Sequence, residues 1–157
     1  MRERLDKLKA NLDAARAHLN HVLDAVGERT EAQVYSDGAA WNVRQLTIHL
    51  ADADRGQSSV VKAIAEGREL IPADFDIERY NKRSVEKRAE MTFEQAREGL
   101  AASRAEFYAW LDTQDDSFLD KQGRHASLHI LSAEQILNVM ADHERDHAHD
   151  IAKTLGL

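Results

Sequence analysis

Between Met1 and Leu157 the chain holds one proline, Pro72, and its seven glycines are scattered. Those two residue types end helices most effectively, so long stretches without them favour helix content well above average. Within these stretches the apolar residues recur at helical steps. Leu5, Leu8, Leu12, Ala15, Leu19, Val22 and Val26 are spaced by three or four between charged positions. This predicts a first amphipathic helix from Arg2 to about Val26, ended near Gly27. No run alternates apolar and polar residues as a strand would.

Three repeated signals mark where later helices begin. Asn42 is followed three residues on by Gln45, Thr92 by Gln95 and Ser132 by Gln135, each the pattern of a capping box. They predict helices from Val43 to about Glu66, from Phe93 to Leu111 and from Ala133 to about Leu155. Residues 28–41 read as a polar connection. After a break from Gly67 to Asp74, the stretch from Ile77 to Arg88 reads as a short, mostly solvated helix. A loop carrying Asp115, Asp116 and Gly123 precedes the last helix.

Four long amphipathic helices must bury their stripes against one another, which predicts an all-α four-helix bundle with a short extra helix between the second and third. A chain of 157 residues fits a single domain, 1–157, and shows no internal repeat. A net charge of -7 disfavours nucleic-acid and anionic-membrane partners. No run reaches membrane-spanning length, and the charged N-terminus lacks the apolar stretch of a secretory signal, so the expected location is cytoplasmic. There is no cysteine, so metal ligands must be His, Asp or Glu and any thiol chemistry needs a thiol from outside.

The last helix contains His143-Glu144-Arg145-Asp146-His147, an H-E-x-x-H pattern. At about 100° per residue, both histidines share an arc with Ile136, Met140 and Ile151 and so face the core. Two inward imidazoles need partners; one divalent metal would serve both, the alternative being hydrogen bonds to neighbours. His49, among Leu46, Leu50 and Ala53 on the second helix, is the best third ligand. A zinc-protease reading fails, because no G-x-x-H continuation follows His147 and no edge strand is available to align a substrate. Glu144 then reads as a boundary residue beside a pocket. Asp146 and Asp150 are placed to orient the rings by accepting their spare N–H protons. His125 and His129 read as loop or pocket-rim residues, and His18, His21 and His149 as surface or boundary residues.

Three segments together carry a family resemblance. These are Trp41-Asn-Val-Arg-Gln-Leu-Thr-Ile-His49-Leu-Ala-Asp, Asp76-Ile-Glu-Arg-Tyr-Asn81 and Asp142-His143-Glu-Arg-Asp-His147-Ala-His-Asp-Ile151. They resemble the DinB-like superfamily of metal-binding four-helix bundles, which includes the YfiT and mycothiol-dependent maleylpyruvate isomerase-like proteins. The resemblance implies an up-down-down-up bundle, a homodimer, and a zinc or nickel ion on His49, His143 and His147. It also implies that Tyr80 and Asn81 lie at a pocket mouth where a substrate is held.

Three imidazoles leave coordination positions open on a divalent ion, as catalytic sites do. The expected function is therefore a metal-dependent enzyme acting on a small-molecule substrate. It would be a thiol S-transferase or isomerase using an exogenous low-molecular-weight thiol, or a hydrolase. The competing expectation is a non-enzymatic metal or small-ligand binder.

Overall fold

The computed structural model describes residues 1–157. Its elements are α1 (Glu3–Asp24), α2 (Val43–Ala65), α3 (Ile77–Lys87), α4 (Phe93–Leu111), a 3₁₀ turn (Asp116–Phe118), β1 (Gln122–Arg124), β2 (Ile130–Ser132) and α5 (Ala133–Leu155). The three capping boxes form as the sequence predicts: Asn42, Thr92 and Ser132 each accept from the backbone N–H of the glutamine three residues on, whose side chain accepts in return. α1 carries no side-chain cap of its own. Asp116 supplies one from across the chain, accepting the N–H groups of Arg4 at 3.2 Å and Leu5 at 2.8 Å. No helix is long and apolar enough to cross a membrane.

Side-chain bonds between helices give the direction of each. Arg4 pairs with Glu134, Arg16 with Glu144, and Arg29 just past α1 with the Leu155 carbonyl, so α1 and α5 run parallel. Lys9 pairs with Asp112, Tyr108 bonds Asp13 and Arg97 bonds Asp24, so α1 and α4 run antiparallel. Gly99 lies against Ala51 and Arg104 reaches Asp54, so α2 and α4 run parallel. The four long helices are therefore up, down, down and up. Parallel neighbours need a crossover, and the segment carrying α3 provides it between α2 and α4. Only Ser84 and Val85 of α3 are buried, in keeping with its polar sequence.

One expectation needs correction. Residues 122–132 are not a plain loop but a small antiparallel hairpin pairing Gln122 with Ser132 and Arg124 with Ile130. Three-residue strands are too short to show alternation in sequence. The hairpin packs on α2 at Gly123, where a Cβ would come within 2.6 Å of the Ile64 side chain, so this approach requires glycine.

The core has two apolar halves. One is built on Leu5, Leu12, Val61, Phe107 and Ile136, the other on Leu19, Leu46, Leu50, Leu100 and Ile151. A side chain from each long helix joins one ionic cluster: the buried Asp54, Arg104 and Glu144, and the partly buried Arg16.

Candidate metal centre

The capping box at Asn42 sets the register of α2 so that His49 falls on its buried face, 5 % exposed. The box at Ser132 does the same for α5, where His143 and His147 stand one turn apart. His49 Nε2 lies 3.2 Å from His143 Nε2, and His147 Nε2 lies 3.1 Å from the same atom. The ligand nitrogens of all three lie within 4.8 Å of one another. Two nitrogens each about 2.1 Å from an ion, and about 90–110° apart at it, are separated by roughly 3.0–3.4 Å. The two spacings to His143 Nε2 fall in that range.

The protons favour an ion as well. Tyr35, from the segment between α1 and α2, donates its phenol hydrogen to Asp150 Oδ2. Its oxygen sits 2.8 Å from His147 Nδ1. Having no second hydrogen to give, it accepts from Nδ1–H, which leaves His147 Nε2 as a bare lone pair. His143 Nε2 can then serve only one of its two contacts: as an N–H it donates to His147, and as a lone pair that accepts from His49 it faces the bare His147 nitrogen. A cation at the point where the three nitrogens converge satisfies all of them, and neutral imidazoles are the form it requires.

Burial holds the rings neutral. It pushes His49 down to about 4, helped by His147 and opposed by Asp52. His143 is held well below its ordinary value by burial and then by the two neighbouring histidines. His147 is lowered by burial, against the pull of Asp150 and Asp146. Trp41 lies over the His49 ring, centroids 4.6 Å apart and planes tilted 30°.

His49 and His143 form one end of a cavity of about 540 Å³. Val60, Leu70, Ile71, Phe75, Ile77 and Val139 give it an apolar wall, and Tyr80 and Asn81 line it as well. His125 and Ser127 are the polar groups of the hairpin wall. The backbone N–H of Ser127 donates to His125 Nδ1 at 3.1 Å, so the proton sits on Nε2, 3.1 Å from Gln57 Oε1. His125 lies in the loop between β1 and β2 and lines the cavity, as the sequence reading allowed, but it is buried rather than exposed at an edge. His129, His18, His21 and His149 are exposed and lie outside the cluster.

Two readings change. Glu144 is not a boundary residue: it is 3 % exposed, with Oε1 2.6 Å from Arg16 and 2.8 Å from Arg104. Arg104 also holds Asp54 at 2.9 Å. The glutamate of the H-E-x-x-H pattern therefore belongs to the ionic cluster, on the face of α5 that meets α1 and α4. Asp146 is exposed and bonds to neither ring, while Asp150 reaches His147 only through Tyr35. Sequence reasoning passed over Tyr35, which sits in a polar connection without a motif.

The sequence model of a family described as the DinB superfamily matches residues 6–151. No curated protein matches the chain. Two solved structures resemble it, the mycothiol-dependent maleylpyruvate isomerase and a histidine-to-alanine mutant of that enzyme, with TM-scores of 0.72 and 0.73. Each is 19 % identical, and the alignment covers 92 % of this chain and 60 % of the isomerase chain. At that identity the likeness speaks for the fold.

Proposed function

The chain belongs to the DinB superfamily, and from that premise we propose that it is a metal-dependent enzyme acting on a small molecule with an exogenous low-molecular-weight thiol. One observation carries the reading: three imidazole nitrogens converge where α2 meets α5, and two of the rings also line a cavity. Their donor set suits zinc or nickel. When bound, such an ion supplies Lewis acidity, drawing the pKa of a thiol or water toward neutrality.

The chain's own residues do the rest. Asp150 and Tyr35 hold His147 with its proton on Nδ1 and its lone pair inward. Trp41 braces His49. The apolar wall displaces water from the space over the rings, and Tyr80 and Asn81 at its side are the proposed substrate contacts. With no cysteine in the chain, the thiol must come from solution. S-transfer or isomerisation fits this arrangement; hydrolysis needs the same centre with water in place of the thiol. The proposed working unit is a single-domain chain in a homodimer, a state that sedimentation velocity reads directly.

A second reading, a non-enzymatic binder of metal or small ligand, draws on a separate observation. Asp52, which lines the cavity, and Glu144, beside His143 in sequence, are both buried and held by arginines, Glu144 by Arg16 and Arg104, and Asp52 by Arg55 and Arg88. Neither is free to act as a base. Metal analysis of protein purified without added metal, beside His49→Ala and His147→Ala, tests the centre. Loss of metal in both variants is expected, and unchanged content in both overturns it. A loaded protein that conjugates no thiol across a broad electrophile panel turns the reading to the binder.

A further inference from the structure

A cationic groove adjoins the cavity in a chain whose net charge is -7. Along α3, Arg79, Arg83 and Lys87 recur every fourth residue, which stacks them on one face over about 12 Å. Like charges at that spacing repel one another, so the helix gains nothing from them by itself.

With Arg88 they line a groove of about 580 Å³, whose carboxylates are Asp74 and Asp76. Asp76 is engaged in capping α3, where it accepts the Arg79 backbone N–H at 3.1 Å. Arg88 is engaged with Ser84 and lies 3.5 Å from Asp52. Arg79, Arg83 and Lys87 form no ion pair with any carboxylate of the chain. Phe75 and Tyr80, with ring centroids 5.4 Å apart, line both the groove and the cavity, so the two spaces share a wall.

We propose that the cavity takes an amphiphilic anion. Its apolar body sits against the wall over His49 and His143, and its carboxylate, phosphate or sulfonate group crosses Phe75 and Tyr80 onto Arg79, Arg83 and Lys87. This rests on the cavity being the substrate site. A chain that otherwise repels anions draws one at the mouth of an apolar pocket, so the charge selects the ligand and the apolar wall holds it.

The test is fluorescence titration of the metal-loaded protein with 8-anilinonaphthalene-1-sulfonate and with N-phenyl-1-naphthylamine, the same ring system without the anion. The two probes are expected to displace each other. In the Arg79→Gln/Arg83→Gln/Lys87→Gln variant, all at exposed positions, the sulfonate is expected to bind about tenfold more weakly while the neutral probe stays within about twofold. Unchanged sulfonate affinity, equal loss of both probes, or independent binding of the two overturns the proposal. Metal content is read on the same samples. Charge-dependent sulfonate binding by protein that takes up no metal supports the groove and sinks the metal centre; loaded protein without that charge dependence does the reverse.

Discussion

Tyr35 is the residue on which the geometry of His147 turns. Its single hydrogen goes to Asp150, which settles the proton on His147 Nδ1 and frees Nε2. Removing the hydroxyl leaves the ring free to turn and to change tautomer. Tyr35→Phe is therefore expected to weaken metal binding by about 10- to 100-fold with the fold intact, as losses of such supporting bonds do. Competition against a chelator of known affinity measures it, and unchanged affinity would remove Tyr35 from the centre. Nothing near Tyr35 in the sequence announces this role. It lies 112 residues from His147, in a segment whose composition says only that it is polar.

At the scale of elements, α5 serves two faces. One carries His143 and His147; the other carries Glu144 into the ionic cluster with Arg16, Arg104 and Asp54. Helical period shows that the two faces differ in direction. It does not show what each meets, because α1 and α4 could have offered apolar partners to Glu144 instead of arginines. Breaking a buried ion pair by neutralising one partner leaves the other uncompensated. Glu144→Gln is thus expected to lower the unfolding free energy by about 3 kcal/mol in urea titration while metal content stays at the wild-type level. Metal lost with stability intact would place Glu144 at the metal centre instead. The crossover between α2 and α4 was legible as breaker, short helix and capping box. The hairpin was not, since its three-residue strands are too short to show alternation and Gly123 meets Ile64 only across the chain.

For the whole molecule, the three buried imidazoles tie stability to pH. All three are neutral in the fold with pKa values pushed down, His49 to about 4, whereas an unfolded chain protonates histidine near its ordinary 6.5. Between those values the unfolded state binds more protons, so stability of the metal-free protein is full above about pH 6.5 and falls as the pH drops toward 4. His49 alone contributes on the order of 3 kcal/mol to that loss. Urea titrations of metal-free protein at pH 7, 6 and 5 are expected to show falling midpoints, with a smaller slope in His49→Ala; a flat profile would mean that the rings are not held neutral by burial. Capping boxes and apolar stripes act between residues three or four apart, so local sequence specifies the long helices, the starts of α2, α4 and α5, and their inward faces; α1 takes its cap from Asp116, far along the chain. Those stripes alone aimed His49, His143 and His147 at the core. What each inward group meets is set by packing: Tyr35 on His147, arginines on Glu144, and a cavity over the other two histidines. Those contacts depend on the stagger and rotation of whole helices, which the packing of both core halves sets together and no local stretch of chain contains.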